Sequence, residues 1–268
     1  MKRKLFCEIS PVTYKISVYK CLLIRIIKNL FIKGKFAKTF LEDKLPYTIY
    51  KHKSLIRRKL GNVDMHLQEN KVGNLSLAVP KINGILIYPG KIFSFWELVG
   101  NLTSRKGYKE GLVISNGRAA SGVGGGMCQL TNLIHWMVLH TPMKIIEHHH
   151  HDDIDLFQDF NRQIPFGTGT SIVYNYLDYR FINNTHRIYQ LITYTTDEYL
   201  CGEMRSNSIQ TEKYHIFVED EHFEREGNDV FRCGKVYRSQ IDVRSGSIIE
   251  KALLKSNHAK VMYDTSNL

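Results

Sequence analysis

The chain has 268 residues, 43% of them hydrophobic and 24% charged, which supplies apolar material for one large or two small cores and excludes a disordered chain. Lys and Arg number 37 against 26 Asp and Glu, and the formal charge of +11 suits an anionic partner such as a lipid surface, a phosphorylated precursor or nucleic acid. Cys7, Cys21, Cys128, Cys201 and Cys233 are odd in number, far apart and free of CxxC spacing; this argues against a disulfide framework and a cysteine-based zinc site, and fits free thiols in a reducing compartment.

At the N-terminus, Lys2, Arg3 and Lys4 look like the start of a signal peptide, but Glu8, Lys15 and Lys20 interrupt the apolar run that should follow, so the chain reads as cytoplasmic. Residues 1–60 read as a basic helical segment, with helix from 12 to 60 broken near Gly34 and Pro46. Within it Leu22, Leu23, Ile26, Ile27, Leu30 and Phe31 form a helical stripe with Arg25, Lys28 and Lys33 set among it. The run is too short and too charged to span a bilayer. Two alternatives stand: a basic helix lying on an anionic membrane, or a helix docked on the protein's own core with its lysines in water.

Residues 66–83 carry helical spacing, with Pro80 in the last turn. The period then changes. Residues 85–88 and 92–95 read as short strands about Pro89-Gly90, and 111–121 as a hairpin turning at Asn116-Gly117. Further strands are expected at 144–151, 171–175, 177–182, 187–194 and 199–204, then at 214–218, 230–243 with a break at Gly234, and 247–254. The fold class is α+β: a mostly antiparallel sheet packed on one helix, with a core domain over 61–205 and a β-rich extension over 206–268.

The hairpin leads into the most informative stretch, Gly122-Val123-Gly124-Gly125-Gly126-Met127-Cys128-Gln129-Leu130. Leu130, Leu133, Ile134, Met137 and Val138 recur on one helical face, so Cys128 falls in the first turn of a helix. There the unpaired N–H groups and the helix dipole favour a thiolate. Glycines let a substrate approach the backbone, whose N–H groups can bind an oxyanion. No Gly-Lys-Ser/Thr follows, so a phosphate loop is not indicated. A small buried cysteine after an ordinary turn is the plain alternative.

A nucleophilic thiol needs a base, and the base an orienting group. Glu147-His148-His149-His150-His151 ends the strand after the helix. Alternation puts Glu147, His149 and His151 on one side and His148 and His150 on the other. Cys128, one of these histidines, and Glu147 or Asp178 would complete the set. The run also suits a solvated loop, which Asp152 and Asp153 favour; two histidines per face make a structural metal site unfavoured. His135 and His140 read as helix-face residues, His140 near the C-terminal dipole. No cofactor is expected, and no nucleic-acid-binding motif is present.

These motifs together resemble the VanW family: Gly124-Gly125-Gly126-Met127-Cys128-Gln129-Leu130, Phe93-Ser94-Phe95-Trp96 before it, and Ile145-Ile146-Glu147-His148-His149-His150-His151 after it. Leu45-Pro46-Tyr47, Asn70-Lys71-Val72, Asn74-Leu75 and Tyr176-Leu177-Asp178 fit short members without a signal, and the likeness runs over about residues 35–184. The family is tied to glycopeptide-resistance clusters, and some of its domains act as L,D-transpeptidases of peptidoglycan. The resemblance implies that Cys128 attacks a stem-peptide carbonyl, with His149 or His151 as base; Glu147 or Asp178 stays the candidate to orient it. Gly124, Gly125, Gly126, Gln129 and Asp178 would line the substrate and oxyanion site. The implied partners are a peptidoglycan precursor or stem peptide and an anionic membrane. One departure is that Gly167-Thr168-Gly169-Thr170 holds no carboxylate where the family often has Asp. A non-catalytic accessory protein that binds a precursor or a membrane partner is the alternative.

Overall fold

Ser10 caps the first helix, α1 (Pro11–Ile32): its hydroxyl accepts from the Thr13 N–H, and Pro11 has the fixed φ suited to the first position. The computed structural model describes residues 5–58, 64–115, 118–150, 154–156, 158 and 164–265. Helix was expected to continue to 60. Instead α1 gives way to β1 (Thr39–Phe40) and β2 (Tyr47–Leu55). Tyr, Thr and Ile open that second stretch, and their β preference together with pairing to a later strand overrides the helical reading.

The expected helix over 66–83 is α2 (Met65–Ala78), ending in a 3-10 turn at Pro80. Then follow β3 (Ile85–Ile87), β4 (Ile92–Ser94) and a short α3 (Phe95–Val99), where a strand had been expected to run on to Phe95. The hairpin is β5 (Glu110–Ser115) and β6 (Arg118–Val123); its Asn116-Gly117 turn lies outside the described residues. The cysteine helix is α4 (Met127–Val138). After it come β7 (Lys144–Glu147), β8 (Ile154–Asp155), β9 (Arg180–Ile182), β10 (Tyr189–Thr195) and β11 (Tyr199–Ser206). Long strands β12 (Glu212–Glu226), β13 (Asp229–Asp242) and β14 (Ile248–Val261) complete the chain, and Gly234 does not break β13.

Residues 171–175 are not a strand. Val173 pairs with Leu177 across a tight turn, and Asn175 takes the left-handed conformation (φ 48°) that the turn requires.

The architecture is α+β, with antiparallel pairing everywhere except the short β8–β14 contact among the sheet strands. One sheet has the order β1-β3-β10-β11-β2, a second β12-β13-β14-β8, a third β4-β9-β7, and β5-β6 form the hairpin. Helix α4 lies between the first two sheets. Leu130, Leu133, Ile134 and Met137 face the main core with Leu75, Phe95, Leu191 and Leu200. On its other side Trp136 packs with Leu139, Tyr214, Ile216 and Val236 of the C-terminal sheet. Gly202 lets the helix lie against β11: a Cβ there would sit 2.5 Å from Met137 Cε. The segment that carries Cys128 is thus buried on two sides.

Candidate active site around Cys128

Three segments meet here: the start of α4, residues 169–172, and the end of β7. Gly126 caps α4 with φ 103°, a conformation that side-chain-bearing residues rarely adopt. The turn is also packed too tightly for side chains. A Cβ on Gly125 would meet the Gly111 carbonyl carbon at 2.2 Å, one on Gly126 Lys71 Cγ at 2.3 Å, and one on Gly124 Leu102 Cδ1 at 2.4 Å. The triple glycine is therefore required by the fold itself.

Helix α2 holds this turn through a polar buried face. Asn74 Nδ2 donates to the carbonyls of Lys109 and Gly125, each at 2.9 Å, and its Oδ1 accepts from the Lys109 N–H at 2.8 Å. Asn70 Nδ2 donates to the Glu110 carbonyl at 2.8 Å. Lys71 is buried beside Gly126, and its Nζ donates to Gln68 Oε1 at 2.6 Å. Burial, helped by Arg58 and Arg57, pulls the Lys71 ammonium down to about 7. Lys71 carries no role in the sequence reading. The available signal was Gln68, Lys71, Asn74, Leu75 and Ala78 at helical spacing, a buried face with three polar residues of five.

The N–H groups of Gly124, Gly125 and Gln129 donate to the carbonyls of Lys109, Gly122 and Gly126 at 2.9, 3.1 and 3.0 Å. Those of Met127 and Cys128, in the first turn, have no acceptor within their own helix. Gln129 directs its side chain to β2, donating to Ser54 Oγ and the Leu55 carbonyl.

Cys128 keeps part of its surface. Its thiol is nevertheless pushed above the usual range by burial, against the backbone N–H groups of Ile172 and Cys128 itself, which favour the thiolate. The helix terminus was expected to lower this pKa; desolvation outweighs it, and the resting group is a neutral thiol.

Residues 169–172 are gripped from both sides. Asn132 Oδ1 accepts from the Thr170 N–H at 2.6 Å and from its hydroxyl at 2.8 Å, and Thr131 and Thr170 share a hydroxyl contact. The Ser171 N–H donates to the His149 carbonyl at 2.7 Å, and His148 Nε2 donates to the Gly169 carbonyl at 3.0 Å. The Ile172 N–H thus faces the thiol and the Ser171 N–H holds the backbone of His149, so this segment stands between Cys128 and His149, and among the described residues no hydrogen bond joins the two side chains.

Strand β7 ends at Glu147, short of the expected 151, but the alternation persists. Glu147 Oε1 meets His149 Nε2 at 3.2 Å on one side, while the rings of His148 and His150 lie 4.0 Å apart on the other. His151 falls outside the described residues. His148 also packs on His135, whose Nδ1 lies 3.0 Å from the Tyr179 hydroxyl. Burial and the neighbouring histidines pull His148 down to about 4 and His135 well below its usual value, so both rings are neutral at pH 7. His140 binds the Trp136 carbonyl through Nδ1 at 2.8 Å and stacks on Tyr50. Burial draws it down to about 4, so it caps the helix as a neutral ring rather than a cation.

Glu147 is anchored by a bidentate pair with Arg25 of α1, both contacts at 2.6 Å, and by the Asp178 N–H at 2.9 Å. Burial opposes its ionisation, but Arg25, the Asp178 N–H and His149 together hold the carboxyl below its ordinary value. Asp178 is fully buried. It accepts from Ser94 Oγ at 2.5 Å, Arg180 Nε at 2.6 Å and the N–H groups of Trp96 and Tyr179. Arg180 reaches on to Asn29 Oδ1 at 2.9 Å. Two polar side chains of α1, Arg25 and Asn29, are thereby tied into the network that ends at His149.

These features define an α+β protein whose one central helix presents a cysteine directly after a glycine turn, with a carboxylate–histidine pair on the adjoining strand. The family described as VanW like protein matches residues 70–205, and the chain belongs to the VanW family. Vancomycin B-type resistance protein VanW of Enterococcus faecalis (strain ATCC 700802 / V583) is 35% identical over 228 residues, 85% of this chain and 82% of that protein. The uncharacterized protein YoaR of Bacillus subtilis (strain 168) is 30% identical over 113 residues, 41% of this chain and 34% of that protein. No solved structure matches the chain.

Proposed function

We propose that this VanW-family chain is a cysteine acyltransferase of the L,D-transpeptidase kind, acting on peptidoglycan stem peptides or their precursors in the service of vancomycin resistance. The observation that carries it is Cys128 at the start of α4 behind the glycine turn, with the Glu147-oriented His149 held on the far edge of the Ser171–Ile172 segment that the thiol faces. With His149 Nε2–H directed to an ionised Glu147, Nδ1 carries the lone pair that can take a proton. Sγ attacks the carbonyl between the third and fourth stem residues, and its proton passes to His149 through a bridging water. The C–N bond breaks, the leaving amine takes that proton, and a thioester remains on Cys128. An amine of a second stem, or water, then displaces the sulfur, which regains its proton. The first-turn N–H groups of Met127 and Cys128 would stabilise the oxyanion.

The likeness to a vancomycin-resistance protein supports the cell-wall substrate class. Helix α1 supports a site at the cytoplasmic membrane surface. No helix among the described residues is long and apolar enough to cross a membrane. Yet Leu23, Ile26, Ile27, Leu30 and Phe31 of α1 are all exposed, beside the exposed Lys28 and Lys33. A basic helix with such a face binds anionic bilayers. A cleft lined by Lys33, Lys38 and Lys91 opens where α1 ends and suits the phosphates of a lipid-linked precursor.

A second reading, a precursor-binding protein without turnover, is favoured by the raised thiol pKa. The test is release of the fourth residue from a synthetic stem tetrapeptide in the presence of an acceptor amine. Release that is lost in Cys128→Ser and reduced at least ~100-fold in His149→Ala supports the enzyme. Binding of the peptide without release, equal in wild type and Cys128→Ser, supports the second reading.

A further inference from the structure

The cysteines were read as too scattered for zinc, yet pairing across strands brings ligands together that sequence spacing conceals. We propose that His222, Glu224 and Cys233 of the C-terminal sheet form a zinc site with three protein ligands and one open position. His222 and Cys233 are direct cross-strand partners on β12 and β13, so their side chains share a face. Glu224 lies two residues beyond His222 and joins them on it. The three ligand atoms lie within 4.8 Å of one another. Glu224 Oε2 is 3.8 Å from Cys233 Sγ and 3.9 Å from His222 Nε2. Zinc–ligand bonds of ~2.0–2.3 Å in a tetrahedron give edges of about 3.3–3.6 Å, so the two Glu224 edges close with shifts of a few tenths of an ångström, and the exposed His222 ring turns in to shorten the third.

A separate observation fixes the donor atom. His222 Nδ1 lies 2.8 Å from the Asp220 carbonyl oxygen. A carbonyl only accepts, so Nδ1 carries the proton and Nε2 presents its lone pair towards Glu224. Metal-bound histidines are commonly oriented by such a bond. The bond depends on a bulge: the register shifts between Glu219 and His222, and Asp220 takes φ 55°. Gly234 lies opposite the bulge, between the partners of Glu219 and His222.

The ligand chemistry selects the metal. Thiolate, imidazole and carboxylate suit zinc, whereas calcium or magnesium would need more oxygen donors. Binding releases the Cys233 thiol proton, which at present points to Glu224, and replaces that hydrogen bond with two metal–ligand bonds. His258 on β14, the cross-strand partner of Cys233, stands on the same face and is held by Glu226 Oε1 at 2.9 Å. The site would join two strands of the extension at its bulged end, apart from the Cys128 chemistry.

The test uses the full chain, stripped with a chelator and titrated with Co2+ as a spectroscopic stand-in, then with Zn2+. The expected result is a thiolate-to-cobalt absorption that saturates at one Co2+ per chain and is erased by Zn2+. Cys233→Ser abolishes the band, and His222→Ala and Glu224→Gln each weaken affinity at least ~10-fold, with unchanged circular dichroism. His222 and Glu224 are exposed, so these variants probe binding without disturbing a core. No thiolate band, a band that survives Cys233→Ser, or binding that disappears only when His148, His149 and His150 are replaced would each overturn the proposal.

Discussion

Helices α1 and α4 carry the same apolar periodicity, and the structure uses them in opposite ways. In α4 the stripe is buried between two sheets, with Leu130 and Ile134 fully enclosed. In α1 it lies in solvent, Phe31 being 86% exposed, and Asn29 is the buried residue of the helix. Polar residues decide the difference. Arg25 and Asn29 find a half-buried carboxylate and a buried guanidinium, so α1 docks on its polar side and leaves its apolar side outward. Of the two alternatives for this stripe, docking on the protein's own core is therefore not what the fold does. An amphipathic pattern establishes that one face differs from the other; the partners available decide which face goes in.

The largest expected effect is at the glycine turn before α4. Gly125→Ala pushes a methyl group against the Gly111 backbone, which cannot rotate away as a side chain would. Urea unfolding should show a loss of about 3 kcal/mol or more. The next test sets the two helices against each other. Leu133→Ala in α4 should cost about 2–5 kcal/mol, whereas Leu30→Ala in α1 should stay within about 0.5 kcal/mol. Equal losses at the two positions would erase the distinction between buried and outward stripes.

Arg25→Met removes the bidentate pair and should cost about 1–3 kcal/mol, with faster amide exchange along α1. Leu30→Ser with Phe31→Ser should leave stability unchanged but reduce co-sedimentation with vesicles containing phosphatidylglycerol; undiminished binding would remove the membrane role of this face. A smaller effect concerns pH. Burial draws His52, His140 and His148 each down to about 4 from an ordinary 6.5. The unfolded chain takes up protons first as pH falls, so their contribution is complete above about 6.5 and is lost on descending from there to about 4. The urea midpoint should be lower at pH 5 than at pH 7, and His140→Gln should flatten part of that slope.

Much of this was legible in the residues. The Cys128 helix, the hairpin before it and the Glu147–His149 pairing follow from local period and alternation. Less legible was what depends on distant segments. Residues 47–55 read as helix because their strand character appears only when paired with β11. The grip of Asn132 and Thr131 on residues 169–172 joins segments with no periodic relation. The raised Cys128 thiol follows from burial, which a helix-terminus argument does not include. The buried Lys71 was hidden for the opposite reason, because lysine on a helix ordinarily marks the solvated face.

The most direct test of the account is intact-mass analysis of the protein mixed with a stem tetrapeptide and quenched in acid at short times. Acylation should appear as an increase equal to the mass of the stem peptide less that of the released fourth amino acid, located to Cys128 by peptide mapping, absent in Cys128→Ser and slowed in His149→Ala. Full occupancy of the peptide in a parallel binding measurement, with no covalent adduct at any time, would contradict it.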